Sequence, residues 1–535
     1  MNINNKMLKE VCEKIYDHVK NEDGTVQKAG FIEKLGNRGI LSDDPRISEF
    51  IKSIREYHGN VEKDTFIKCI SNNISVIENA FTNDFVITDF EAFSNEINQL
   101  YEEVITNDDG KMADYIPQLA KQNPKHFGVS ICTIDGQRLN IGDSDVNFCL
   151  QSCSKPITYC LALEEHGKDK VHKHVGREPS GSEFNALKLN SKGRPHNPLI
   201  NSGAIMSCSL IKNKDVAADR FDYVTKMWKK MAAGKELGYN NSVYLSERMS
   251  ADRNFALAYF MNENEAFPDN TNIVEVLEFY FQCCSLTLNS DSLSIIAATL
   301  ANGGVCPLTG EEVISSENVK HCLSMMYSCG MYDYSGEFAF KIGLPAKSGV
   351  AGGIFVVIPN VMGVCTFSPR LDDYGNSVRG VEFFLKLTKT YNFHLFDNLA
   401  NVCDTKKNPR KKINVDELTV EKVIKYSSLG DLSALRQLRI KNGDFSQGDY
   451  DNRTPLHLAS SNGHLNVVKY LIETGGLMNV NPMDRWGGTP YDDAIRESYD
   501  DIATYLKSIG GKSGTEIYKK EKEKVDSISI SCNLP

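Results

Sequence analysis

Long apolar runs are missing from this chain. No stretch approaches the roughly eighteen uninterrupted hydrophobic residues that a membrane-crossing helix needs, so no span is expected. Excess positive charge is missing too. Sixty Lys and Arg against 70 Asp and Glu leave a formal net charge of -10, which repels polyanions and argues against DNA or RNA as a main partner. Paired metal or disulfide motifs are absent. The 15 cysteines are an odd number scattered over 535 residues, with no Cys-x-x-Cys and no His-x-x-x-His, which argues against a zinc site and favours reduced thiols in an intracellular compartment. The first twenty residues lack the apolar core of a secretory signal. They mix Glu10, Glu13 and Asp17 with lysines, where mitochondrial presequences are poor in acid. No targeting segment is expected.

What is present is the composition of a globular protein, 41% hydrophobic and 24% charged, long enough for two to four domains. Residues 1–105 carry apolar positions at helical spacing, as in "ISEFIKSIREYHG", and read as a helical domain. Within it "NEDGTVQKAGFIEKL" resembles a calcium loop. Anchored on Gly24, that loop has Val19 at the first ligand position and Gly30 where the last glutamate belongs, so calcium is not expected. Residues 106–398 are read as the main domain. A hairpin is expected over Phe127–Asp143, turned by Asp135-Gly136, then a mostly helical stretch from Pro156 to about Phe340, then strands around Pro359-Asn360. Residues 399–416, with "KKNPRKK", read as an exposed basic linker. In 417–510 "GDLSALRQL" and "GHLNVVKYL" stand 33 residues apart, and "RTPLHLA" recurs as "GTPYDDA" 35 residues on, the signature of ankyrin repeats. Two to three such units are marginal alone and should lean on the main body. Residues 511–535 read as a disordered tail.

The chemistry is carried by "CLQSCSKPITYC". Pro156 lacks an N–H and is tolerated only in a first helical turn, which puts Ser152 near the positive end of a helix. Lys155, three residues on, shares its face. Partial burial would lower the proton affinity of that ammonium until it could take the serine's proton. Ser-x-x-Lys alone is a weak signal, since "SLIK" at Ser209 has the same spacing. A penicillin-recognising serine hydrolase adds Lys-Thr/Ser-Gly before a strand, and Lys347-Ser348-Gly349 precedes "GGIFVVIP". A second Lys-Ser-Gly lies at 512–514. The order of hairpin, Ser-x-x-Lys helix, helical middle, Lys-Ser-Gly and strands is that of an α+β, β-lactamase-like fold.

Nine blocks extend this to a resemblance. "KMADYIPQLAK", "QSCSKP", "VGREPSG", "HNPLINSGAI", "SERMSADRNFA", "FYFQCCS", "LANGGVCP", "SCGMYD" and "LPAKSGVAGG" occur in the order seen in serine-dependent glutaminases, and the ankyrin signature is that of the animal type. The resemblance implies hydrolysis of L-glutamine to L-glutamate and ammonia through an acyl-enzyme. It implies Ser152 as nucleophile, Lys155 as its partner, Tyr332 as a proton-shuttling hydroxyl and Tyr115 as a neighbour that closes the site. Backbone groups of Ser152 and Val350 would hold the oxyanion. Gln151, Asn201, Glu247, Asn254 and Tyr280 match positions that hold the amino-acid end of glutamine. That set suits a zwitterion, with one carboxylate for the ammonium and neutral donors for the carboxylate.

Taken singly, Asn201 and Asn254 also read as turn or capping residues, Glu247 as a solvated helix face, and the tyrosines as core or surface aromatics. No metal or organic cofactor is expected. The resemblance implies inorganic phosphate as an activator and a tetramer built as a dimer of dimers, with a protein partner at the ankyrin repeats. In "GSEFNALKLNSKGRPHNP", a loop tied to activation in the family, Lys188 stands where kidney-type relatives have an aromatic residue. The N-terminus as read favours the cytosol, whereas the family favours the mitochondrion with a presequence removed. Two other functions compete: a catalytically silent ankyrin scaffold, and a β-lactam or peptide hydrolase. The latter needs a Ser-x-Asn element, which "SERMSADRN" does not supply.

Overall fold

The computed structural model describes residues 3–57, 59–183, 185–397, 406–410, 420–440, 445–473 and 479–519. The chain divides into two compact units, one of residues 1–31, 46–82 and 412–535, the other of residues 32–45 and 83–411.

The larger unit is organised by a five-stranded antiparallel sheet. Its strand order is Arg138–Gly142, Gly128–Thr133, Met362–Phe367, Gly353–Ile358, Ala346–Ser348. Both faces are covered, which is why "GIFVVI" reads as a continuous apolar run and not as an alternation. Ile354, Val356 and Ile358 enter one core with Phe90, Phe93, Ile97, Leu100 and Phe384. Phe355 and Val357, pointing the other way, enter a second core with Cys153, Ile157, Leu277 and Ile296. The helix Phe90–Val104, expected in the N-terminal domain, therefore belongs to the sheet-bearing unit. An amphipathic stripe does not say which partner buries it.

The expected hairpin forms with a different turn. Thr133 N donates to Gln137 O at 2.8 Å, leaving a three-residue loop with only Gly136 at positive φ (83°). The "KKNPRKK" stretch is corrected where it is described. Lys406 pairs with Asp397 at 2.9 Å, Lys407 pairs with Glu96, and Arg410 donates to Asn392 O at 2.5 Å, so these basic residues are bound to the sheet-bearing unit. The rest of the expected linker lies outside the described residues.

In the smaller unit the calcium-loop-like segment forms a short antiparallel bridge. Val26 and Val61 exchange N–H···O bonds of 2.9 Å each, and Val19, at the first ligand position, is buried. The repeats show why their signature is Thr-Pro-Leu-His. Thr454 caps the helix Pro455–Ser461, Pro455 takes a position needing no N–H, and His457 Nδ1 accepts the Thr454 N–H at 3.1 Å. His457 Nε2 then reaches Gly488 O of the next repeat at 3.2 Å. The repeats share their unit with the N-terminal helices through Lys425–Glu78, 3.0 Å. The first part of the expected disordered tail is ordered: Lys512 O accepts from Thr489 Oγ1 at 2.7 Å, and Gly514 N donates to Asp492 at 2.8 Å. Residues 520–535 lie outside the described residues.

Candidate active site

The serine turn is built from both halves of the larger unit. Residues Gln151–Ser154 make one 3₁₀ turn that runs into the helix Lys155–His174 with Pro156 in its first turn. Leu150 N donates to Leu286 O at 2.8 Å and Cys153 N to Leu150 O at 2.8 Å, which pins the turn. The Lys-Ser-Gly strand abuts it. A Cβ on Gly349 would lie 2.8 Å from Leu150 O, so only glycine allows this approach. Among the described residues, the N–H groups of Ser152 and Val350 donate to no backbone carbonyl. Gln151 and Tyr332 hold positive φ, 48° and 54°, conformations rare outside glycine and found where the surroundings over-determine the backbone.

Ser152 is partly exposed, while Lys155 beside it is 1% exposed. Burial lowers the Lys155 proton affinity to about 8. Lys155 Nζ donates to Asn201 Oδ1 at 2.7 Å, and Asn201 Nδ2 donates to Asn254 Oδ1 at 3.0 Å. The two asparagines thus lead away from the lysine, and Asn201 is the first residue of the helix Asn201–Leu210, with Ile200 in the cap position before it. Tyr332 is buried, which raises its pKa, and the nearby Ser152 hydroxyl opposes that shift.

A second cluster forms a few side chains away. Tyr115 OH donates to Glu247 Oε1 at 2.6 Å, Gln151 Nε2 donates to the same oxygen at 3.0 Å, and Gln151 Oε1 lies 3.5 Å from the Tyr115 hydroxyl. Tyr115 is 49% exposed, yet burial around its hydroxyl and then the Glu247 charge push its pKa well up. Burial also raises the Glu247 pKa, and the Tyr115 and Gln151 hydrogen bonds reverse only part of that. Glu247 rides on the helix Asn241–Met249, whose start is capped by Asn240 accepting from Val243 N at 3.0 Å. Tyr280 is buried on the helix Ile273–Cys284, and that burial pushes its pKa well up. Val350 lies against Ile116, Leu119 and Val243.

Lys347 was legible as a tripeptide but not as a site residue. It is fully buried, its Nζ donates to Gly330 O at 3.0 Å and Ser348 O at 2.7 Å, and it sits 4.5 Å from the centre of the Tyr332 ring. Burial, and next the Lys155 charge, bring it down to about 7. A cavity of about 380 Å³ opens on Tyr332 between Ser180, Ser182, Leu199 and Ser335. Lys188 reaches toward its rim, 3.3 Å from Ser182 Oγ. Among the described residues no group of three or more His, Cys, Asp or Glu could hold a metal ion. All thirteen cysteines described as free are buried. Among the described residues no helix is long and apolar enough to cross a membrane.

The sheet, the Ser-x-x-Lys turn and the Lys-Ser-Gly strand together define a serine β-lactamase-like fold. Comparison with known proteins narrows this. The family model described as Glutaminase matches residues 110–396, an EF-hand domain model matches 11–88, and an ankyrin-repeat model of three copies matches 424–520. The protein named "Glutaminase liver isoform, mitochondrial" of Mus musculus is 44% identical over 486 residues, covering 89% of this chain and 80% of the mouse one. "Putative glutaminase 3" of Caenorhabditis elegans is 44% identical over 494 residues, covering 90% and 85%. A solved structure titled as a probable glutaminase, ybaS, is 37% identical with a TM-score of 0.54, covering 57% of this chain and 97% of that one. The chain belongs to the glutaminase family.

Proposed function

We propose that this protein hydrolyses L-glutamine to L-glutamate and ammonia. The observation that carries this reading is the meeting of two clusters around Ser152, a buried lysine of lowered proton affinity on one side and a donor-satisfied carboxylate, Glu247, on the other. The ammonium of free glutamine pairs with Glu247 while the Tyr115 and Gln151 donors hold that carboxylate through Oε1, and the neutral donors of Asn201, Asn254 and Tyr280 receive the carboxylate of glutamine. Reading both ends of the zwitterion excludes glutamine within a polypeptide. The side-chain amide then meets Ser152. Lys155, neutral at attack, takes the serine proton as the new C–O bond forms, and the N–H groups of Ser152 and Val350 stabilise the oxyanion. Collapse breaks the C–N bond, and the departing nitrogen takes its proton from Lys155 or through Tyr332. Water then cleaves the ester by the reverse relay.

No metal or organic cofactor enters this scheme. Inorganic phosphate as activator, a tetramer built as a dimer of dimers and a protein partner on the repeats belong to the same reading. The free buried thiols favour an intracellular compartment, and cell fractionation separates cytosol from mitochondrion. The β-lactam reading finds no Ser-x-Asn element in the "SERMSADRN" block, and a silent scaffold would not need a buried lysine of lowered proton affinity.

Ammonia and glutamate release from L-glutamine, with and without phosphate, tests the proposal. The wild type should turn over and Ser152→Ala should not. A wild type as inert as the variant, or one that prefers nitrocefin, would refute it.

A further inference from the structure

Tyr115 stands on an excursion, residues 107–125, between the helix Phe90–Val104 and the strand Gly128–Thr133. One side chain grips both ends of it. Arg379 Nε donates to Asn107 O at 2.7 Å, Nη1 to Lys125 O at 3.2 Å, and Nη2 to Asp108 Oδ1 at 2.9 Å. Arg379 is 3% exposed and lies in the first turn of the helix Val378–Thr390, where the helix dipole disfavours a cation. A buried guanidinium there depends on the groups it bonds, and all three acceptors belong to this one excursion.

The rest of the segment 370–379 supports the same geometry. Arg370–Leu371 pairs antiparallel with Lys111–Met112, and Arg370 Nη1 donates to Gly110 O at 3.2 Å. Gly110 holds φ at 85°, and a Cβ there would lie 2.5 Å from Leu371 O, so the two segments are in direct backbone contact. Further along, Asn376 Nδ2 reaches Met331 O at 3.4 Å, and a Cβ at Gly375 would meet Tyr332 and Val350 at 3.8 Å. The segment thus touches both the Tyr115 excursion and the Tyr332 turn.

We propose that Arg379 is a positioning residue for substrate uptake: by clasping both ends of the excursion it keeps the Tyr115 hydroxyl on Glu247, and so holds the carboxylate that receives the ammonium of glutamine. This rests on the glutaminase reading above. The role calls for arginine. Three acceptors at two separate points match the fork of a guanidinium, and a single ammonium cannot span them.

The test is a double-mutant cycle in steady-state kinetics on L-glutamine, with Arg379→Gln, Arg379→Lys, Tyr115→Phe and the combinations. Arg379→Gln should raise KM about tenfold with kcat changed less than about threefold, and Arg379→Lys should recover part of the loss. In the Tyr115→Phe background the same change should add less than about twofold, because the arginine acts through that hydroxyl. Amide exchange across residues 107–125 should rise in Arg379→Gln. Should that variant not fold, Arg379→Lys carries the same cycle. Equal effects in the two backgrounds, or a fall in kcat at constant KM, overturn the inference alone. A wild type without turnover overturns the glutaminase reading and this inference together.

Discussion

At one end of the site two lysines, Lys155 and Lys347, are buried among neutral oxygens and brought down to about 8 and about 7. At the other end Glu247 is half-buried among neutral donors and its proton affinity is raised. Burial moves each group toward its uncharged form, but the consequences differ. A lysine near neutrality can accept a proton, so its end of the pocket serves bond making. A carboxylate held ready by two donors is a receptor awaiting a cation, so its end serves recognition. The comparison predicts that changes at the lysine end act on kcat and changes at the Glu247 end act on KM.

The largest effect should come from the lysine end. Lys155→Ala removes the proton acceptor, and kcat should fall about 10²–10⁴-fold with KM little changed in initial-rate assays. A variant that changes only KM would break the division between the two ends. Next in size, Glu247→Gln keeps the shape and removes the charge, so KM should rise about 10²–10³-fold, as when one partner of a buried charge pair is lost. The pH profile sharpens this. Lys155 must be neutral to act, so kcat/KM should rise as pH rises through about 8. Glu247 must be ionised, so binding should be lost as pH falls through its raised pKa. Glu247→Gln should erase the acid limb and leave the limb near 8.

The smallest effect concerns stability. The folded-state pKa of Lys347 lies below its usual 10.5, so its burial costs stability wherever the unfolded chain is protonated, and that cost grows as pH falls toward about 7. Lys347→Met should therefore stabilise the fold at neutral pH by about 1–4 kcal/mol while reducing turnover, and the gain should shrink above pH 10. Thermal unfolding at two pH values checks it. A destabilised variant would mean that the hydrogen bonds to Gly330 and Ser348 outweigh desolvation.

Much of this site is local in the chain and so could be read from it. Ser152, Lys155 and Pro156 share one turn, and the physics of a helix start connects them without knowledge of the fold. Asn201, Glu247, Asn254, Tyr280 and Tyr332 came from blocks, because nothing in an isolated asparagine distinguishes a cap from a ligand. Lys347 was visible only as a motif, since its burial depends on a strand packing against a turn nearly 200 residues earlier. Arg379 was invisible. Two of its three acceptors are carbonyls, at Asn107 and Lys125, and a backbone oxygen leaves no mark on residue type. The same limit hid the partner of the helix Phe90–Val104 and the ordered start of the tail.

The charge network around Arg138 belongs with these long-range features. Arg138 pairs with Asp43 and lies 3.4 Å from Asp291, while Lys235 holds both acids at 2.8 and 2.5 Å. Burial works to raise the Asp43 pKa, but the two cations hold it near 2. Segment 32–45 is thereby tied to the sheet-bearing unit, a link between residues nearly 250 apart.

The most direct measurement is to quench the enzyme during glutamine turnover and map the covalent adduct by tandem mass spectrometry. A glutamyl ester on Ser152, absent in Ser152→Ala and formed far more slowly in Lys155→Ala, is the expected result. Turnover with no adduct on Ser152, or with the glutamyl group on the Cys153 thiol, would contradict the account.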